Sequence, residues 1–493
     1  YFAIIKVAKF DYFYWVNLIR HKRKEGFCML NITLDKSKKR TYTRQIYQAI
    51  RNKILAGEVK SGDALPPYRE LSQTLAVSKN TILAAYDMLV SDGMLRSVGG
   101  SGFYVAEGMK RVSAPVLYKQ LESAALSAFV LPDGTINFDN GQPALELFPR
   151  AKWNKSVSAA MACASSAALG YDLPQGRPEL RFALCDYLRK VQGISCGPEQ
   201  IIVTSGSKQA IALAAEHLLH GNREVWIEDP VPTLLGQLLS HHTNRISALP
   251  VDEYGLNPAE FPVCGNPALI IASPGRQFPI GGVMPMPQRI ALIDYVQKRN
   301  AFLLEDIFES EFSYDIPQQT SVWELDPERV ISVVTFSKVL FPSVRLGCMV
   351  VPHTLVSELC DCKRLSDHHT NSIYQLALAD FIKSGELYKH IRRMQKVYRK
   401  RRDFLIDCLN RQFGDRAHVR GSASGMNLIV SFSDIDFTEN VCQRLLEKGV
   451  YALPVKPPVC SGKNSRSALI LRYTGLTEDE IRLGVTRLFA ALS

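Results

Sequence analysis

Lys338 stands in the run TFSKVLFPSVRLG, directly after an apolar stretch that reads as a strand. An amine enclosed there loses hydration, so its pKa falls and a neutral, nucleophilic form becomes accessible. Seven residues on, Arg345 offers a planar fork suited to a phosphate, although a Lys and an Arg alone also describe an ordinary surface pair. Asp306 closes the apolar run AFLLED. A carboxylate at the C-terminal edge of an α/β strand points into the usual ligand crevice, but the same residue type also serves as a turn or cap. Thr204-Ser205-Gly206-Ser207-Lys208 joins a strand to a helix. Backbone N–H groups and the helix N-terminus favour an anion there, while small residues suit any turn of this kind. An activated amine, a crevice carboxylate and an anion cradle are three of the groups that pyridoxal 5′-phosphate (PLP) requires: a Schiff-base lysine, a partner for the pyridinium nitrogen and a phosphate cup.

The elements that must position these groups follow from periodicity. Runs at Gln200–Thr204, Val225–Glu228, Ala268–Ala272, Ala301–Glu305 and Val330–Thr335 read as buried strands. They alternate with helical stretches at Lys208–Leu219, Pro287–Lys298 and Ser357–Leu365. This alternation predicts an α/β domain over residues 136–493 with a largely parallel sheet. The long charged helix Gly385–Phe413 introduces a smaller α+β segment over about 370–493.

The N-terminal part has another grammar. Residues 42–56 place Ile46, Ile50 and Ile54 at helical spacing. Pro67 suits the first turn of a second helix, and Ser78 is a good N-cap for a third, Lys79–Ser91. Strands at Leu95–Ser97 and Phe103–Val105 follow, with Gly99-Gly100-Ser101-Gly102 turning between them. Three helices and a hairpin over 42–105 form the order of a winged helix-turn-helix, with Ala76-Val77 as the short turn. Its third helix would present Ser78, Lys79, Asn80 and Thr81 to the major groove of double-stranded DNA. Residues 106–135 read as a linker, and residues 1–41 as a basic, disordered extension. The chain starts on Tyr1, and Met29 is the expected native start.

Charge follows the same division. Residues 29–105 hold 11 Lys/Arg against 6 Asp/Glu, whereas 106–493 contribute only +2 of the net +11. The excess sits where a polyanion would be engaged, with Lys36, Lys38, Lys39, Arg40 and Arg44 either meeting phosphates or merely solvated. The 11 cysteines are scattered and suggest a reducing cytoplasm rather than a disulfide framework. Cys360, Cys362, His368 and His369 fit no usual zinc spacing, so no metal is expected. The apolar opening stretch is interrupted by Lys6, Lys9 and Asp11, which argues against a membrane span.

The run GDALPPYRELSQTLAVSKNTILAAYDMLVSDGMLRSVGGSGFYVA resembles the DNA-binding domain of the GntR family. That resemblance implies DNA contacts from Arg69 and Ser78–Thr81, with Gly100, Ser101 and Gly102 in the wing. Tyr68 stands where the family usually has Ser. The stretches LGYDLPQGRPELRFAL, IIVTSGSKQAIAL, VWIEDP, SPGRQFPIG, LLEDIFESEFSY, TFSKVLFPSVRLG and LILRYTGL resemble fold-type I aminotransferases. The whole chain from residue 42 resembles the MocR/GabR regulators, which fuse the two domains. By motif, the resemblance implies that Lys338 carries PLP as a Schiff base and that Asp306 pairs with its ring nitrogen. It also implies that Gly206, Ser207, Thr335 and Arg345 bind the phosphate and that Arg472 takes an amino-acid carboxylate, with Tyr171 reaching the partner subunit's cofactor in a homodimer. Two residues depart from the pattern: Phe308 replaces a Tyr whose hydroxyl bonds the cofactor's phenolic oxygen, and Pro232 replaces an aromatic ring. Both favour a sensor of an amino compound or PLP with little or no turnover. The alternatives are an active aminotransferase with an appended DNA-binding domain, and a relic domain that only dimerises.

Overall fold

The computed structural model describes residues 30, 32–35, 41–99, 102–107, 131–262, 264–455 and 467–493. The chain divides into two compact units, residues 1–130 and 131–493.

In the first unit, α1 (Tyr42–Leu55) buries Ile46, Ile50 and Ile54, one stripe at four-residue spacing. The second helix, α2 (Tyr68–Thr74), starts one residue later than expected, with Pro67 outside it as N-cap. A proline has no N–H to leave unpaired, which suits the position. The turn at Ala76 takes a positive φ of 51°. It leads into α3 (Lys79–Ser91), which buries Ile82, Ala85, Tyr86 and Leu89. Tyr86 also donates to the Pro66 carbonyl at 2.9 Å, tying α3 to the start of α2. The strands β1 (Leu95–Val98) and β2 (Gly102–Val105) pair antiparallel with Val98 opposite Gly102. Gly100 and Ser101 of the wing lie outside the described residues, as do the basic residues 36–40 and most of the linker.

The second unit contains β3 (Ile136–Asn137), β4 (Ile201–Thr204), β5 (Glu224–Asp229), β6 (Ile246–Asp252), β7 (Gly255–Leu256), β8 (Pro267–Ala272), β9 (Phe302–Ile307), β10 (Val330–Thr335) and β11 (Gly347–Val350). Eight of these form one sheet in the order β4-β11-β10-β9-β8-β5-β6-β7. β10, β9, β8, β5 and β6 run parallel, while β11 and β7 are antiparallel to their neighbours. Alternate strand residues enter different cores. Val330, Val334 and Leu303 pack with Trp226 and Leu292, whereas Ile331, Val333 and Leu304 pack with Leu213 and Leu359. Helices cover both faces, so these strands are apolar throughout rather than alternating.

A smaller antiparallel sheet, in the order β12-β13-β16-β15, carries the C-terminal end. Its strands are β12 (Ala417–Arg420), β13 (Asn427–Phe432), β15 (Leu453–Pro454) and β16 (Ala468–Arg472). The intervening strand β14 (Val450–Tyr451) pairs with β3 instead. The backbone of Arg472 donates to the Phe138 carbonyl at 2.8 Å. The first strand of this unit is thereby laid beside its last, and Asp139–Gly141 continue from it into the cleft.

Truncating Ile82, which is fully buried in the first unit, to Ala should cost about 2–5 kcal/mol of that unit's stability. Calorimetry of the Ile82→Ala chain should show a transition moved to lower temperature, while melting of residues 131–493 stays where it is.

Candidate functional site

The parallel strands deliver their C-terminal ends to one edge, and the chemistry collects there. Thr335 ends β10, and Lys338 follows three residues later. Ser207 opens the helix after β4. Asp306 lies within β9, one residue short of its end and opposite Val333 of β10, rather than terminating the strand as expected. A cavity of about 250 Å³ is lined by Ser207, Lys208, Glu228, Asp306, Thr335, Lys338 and Arg472 on its polar side and by Pro232, Phe278 and Phe308 among its apolar residues. A larger hollow of about 790 Å³, beside Phe148, Trp153 and Phe341, holds none of the titratable groups of this set.

Burial holds the Lys338 amine below its usual range; Arg472 pushes it the same way, and the charges of Glu309 and Asp139 oppose them. Its Nζ donates to the Gly141 carbonyl. Asp306 has an enclosed Oδ1 with no hydrogen-bond partner among the described residues. Burial, reinforced by the charge of Glu305, pushes its carboxyl up to about 7. Glu228 is likewise raised to about 7 by burial, although it accepts from the Ser273 backbone at 2.9 Å and from Gln277 at 3.3 Å. An unpartnered carboxylate oxygen is costly unless a donor or cation completes it. A protonated pyridine nitrogen is such a donor, so the residues present fit PLP.

The turn from β4 into the next helix is built by close approach. Gly206 caps its helix at φ 108°, and a Cβ there would lie only 3.2 Å from Arg345 Nη2. The guanidinium of Arg345 thus packs against the helix N-terminus, carried by a backbone that itself turns left-handed at φ 48°. Gly347, between Thr204 and Thr335 in register, lets Gly206 settle on the sheet, since a Cβ there would lie 3.0 Å from Gly206 Cα. Thr335 Oγ1 receives the Ser337 N–H at 3.3 Å, which shapes the turn towards Lys338.

Arg472 ends β16 and stands over the Phe278 ring, 5.0 Å from its centroid. Gly141 comes close to it: a Cβ at that position would sit 2.2 Å from Arg472 Nη1 and 3.2 Å from Lys338 Nζ. A side chain at residue 141 would displace the ends of Arg472 and Lys338, and sequence reasoning did not single this glycine out. Nor did it single out Asp139, Glu228, Phe278 or Glu309. Phe278 and Phe308 meet edge to face with centroids 6.0 Å apart, and position 308 brings no hydroxyl to the cavity. Tyr171 is 88% exposed and does not line the cavity; its ring lies against His368. Cys360 and Cys362 lie on the helix Val356–Ser366, and among the described residues no group of three potential ligands is placed to hold a metal.

In the first unit the α3 N-terminus divides its four expected residues by role. Ser78 Oγ accepts the Thr81 N–H at 3.1 Å and lies 2.8 Å from Thr81 Oγ1, a cap that sets the helix end. Lys79 and Asn80 project outward and exposed, as do Arg69 on α2 and Gly102 at the start of β2.

Residues 42–105 match the family model described as bacterial regulatory proteins, gntR family, and residues 133–488 match that of aminotransferase class I and II. The probable rhizopine catabolism regulatory protein MocR of Rhizobium meliloti is 30% identical over 473 residues, covering 93% of this chain and 95% of its own. The chain belongs to the MocR-type regulators of the GntR family. Another similar protein is the pyridoxine biosynthesis regulator PdxR of Corynebacterium glutamicum, 30% identical over 77% of this chain and 81% of its own. Among solved structures, the alpha-aminoadipate aminotransferase LysN of Thermus thermophilus aligns at a TM-score of 0.66 and 27% identity, covering 73% of the regulator and 92% of LysN. The regulator is thus a winged-helix DNA-binding protein with an aminotransferase-like domain, and none of its described helices is long and apolar enough to cross a membrane.

The Asp306 carboxyl links cofactor-free stability to pH. Folded, it keeps its proton up to about pH 7; unfolded, it releases the proton near pH 4. Between those values the unfolded chain binds fewer protons, so stability falls as pH rises, by roughly 1.4 kcal/mol per unit for this group. Glu228 acts in the same direction. Cofactor-free protein should therefore melt progressively lower from pH 4.5 to 7.5, and Asp306→Asn should flatten that slope. An unchanged slope in the variant would remove Asp306 as its source.

Proposed function

We propose that the regulator binds PLP in the cavity at the C-terminal edge of its large sheet and senses an amino compound, or PLP itself, there. The observation that carries this reading is the enclosed Asp306 Oδ1, without a hydrogen-bond partner among the described residues, in the same cavity as the Lys338 amine. Lys338 would hold the cofactor covalently, Asp306 its ring nitrogen, and Gly206, Ser207, Thr335 and Arg345 its phosphate. Bound PLP supplies an aldehyde that amines add to and a ring that withdraws electrons. Arg472 would meet a ligand carboxylate with two parallel hydrogen bonds. Ligand binding would bias DNA binding to the extent that it prefers one arrangement of the chain over another. The exposed Lys79, Asn80 and Arg69 would meet operator DNA in the cytoplasm. A homodimer would present two winged helices to paired half-sites, with Tyr171 turned to the partner subunit.

The similarity to an alpha-aminoadipate aminotransferase keeps a second reading open, that of a working enzyme. Phe308 weighs against it: without a hydroxyl at that position, proton movement at the cofactor's phenolic oxygen loses its donor.

Purified protein incubated with PLP should develop a visible absorption band that Lys338→Ala abolishes. No band in either protein would overturn the cofactor reading. Transamination at ordinary enzyme rates, on the order of 1–10³ s⁻¹, would replace the sensor by the enzyme. In a DNA-binding titration, Lys79→Ala should weaken affinity across sequences and lower the salt slope by about one; an unchanged slope would place Lys79 away from phosphate.

A further inference from the structure

Arg472 is framed on three sides. The Phe278 ring lies 5.0 Å from its guanidinium carbon, and Nη1 occupies the space a Cβ at Gly141 would take. Its Nε faces Asp139, with 3.6 Å between Nε and Oδ1. That separation is too long for a hydrogen bond, and the Nε–H is buried with no partner among the described residues. It is short enough for strong charge interaction. Asp139 is not a wandering surface acid. Its own N–H donates to Asn137 Oδ1 at 2.8 Å, and its carbonyl accepts from Gly141 N at 2.7 Å. With β3 paired to β14 on one side, the Asp139 backbone is held and its carboxylate lies beside Arg472. Burial raises its carboxyl, while the charges of Arg472 and Lys338 resist that rise.

We propose that Asp139 is a specificity-determining residue, a built-in counter-ion that partly neutralises Arg472 and biases the site against anionic ligands. A ligand carboxylate arriving at Arg472 meets a second negative charge fixed a few ångströms from the same guanidinium. An amine without a carboxylate does not. The ligand class this favours is the amine that brings no carboxylate to Arg472, over the amino acid that does. The inference rests on the proposal that PLP occupies the cavity.

The test uses two stable, unreactive probes, the reduced adducts N-(phosphopyridoxyl)-L-alanine and N-(phosphopyridoxyl)ethylamine, which differ only in the carboxylate. Calorimetric titration of the cofactor-free full chain gives a dissociation constant for each. Asp139→Asn should tighten the alanine adduct roughly five- to ten-fold and leave the ethylamine adduct within about two-fold, which also shows that the variant is folded. An alanine adduct that binds unchanged or more weakly in the variant would overturn the proposal, and weakening would make Asp139 a residue that merely orients Arg472. If neither adduct binds either protein, the cofactor reading fails, and this inference falls with it by a separately visible route.

Discussion

Burial of charged groups at one edge of the large sheet is the constraint on which the rest depends. It lowers the Lys338 amine, raises the carboxyls of Asp306 and Glu228, and leaves an oxygen of Asp306 without a donor among the described residues. None of these states is favourable for an isolated group, because burial penalises whichever form is charged. They are tolerated because two apolar cores, one on each face of the sheet, hold the strands in place around them. The stored unfavourable electrostatics are concentrated where a cationic ring nitrogen would relieve them.

Close backbone approach is the second recurring device. Gly206 and Gly141 bring main chain within reach of Arg345 and Arg472 respectively, positions where a Cβ would collide with or crowd the guanidinium. One glycine sits at a strand-to-helix turn and the other just past β3. Asp139 belongs to the same segment as Gly141, so the short strand that opens the second unit contributes both the space for Arg472 and the charge beside it.

The DNA-binding unit illustrates how capping and presentation divide neighbouring residues. Ser78 and Thr81 spend their hydroxyls on each other and on the helix end, which leaves Lys79 and Asn80 projecting from a fixed frame. A cap of this type is worth about 1 kcal/mol. Here it also defines the direction in which the exposed side chains leave the helix.

Local patterns in the sequence determined the order of elements, because they depend on neighbours three or four residues away or alternating by two. The isoleucine stripe of α1, the Ser78 cap and the apolar runs of β8, β9 and β10 are all of this kind. Lys338, Asp306 and the Gly206 turn were legible for a related reason: each sits at or beside the end of a strand whose apolar run announces it. Strand limits differ by a residue or two, as at Asp306, since the ladder to β10 continues through a charged position that composition alone would call an end. What only the tertiary structure decided is the meeting of distant segments. Asp139 and Gly141 reach Arg472, more than 300 residues away, because β3 pairs with β14 and the Arg472 backbone bonds to Phe138. No local pattern encodes that pairing, and the charges it brings together acquire their character only from the burial that the assembled fold imposes.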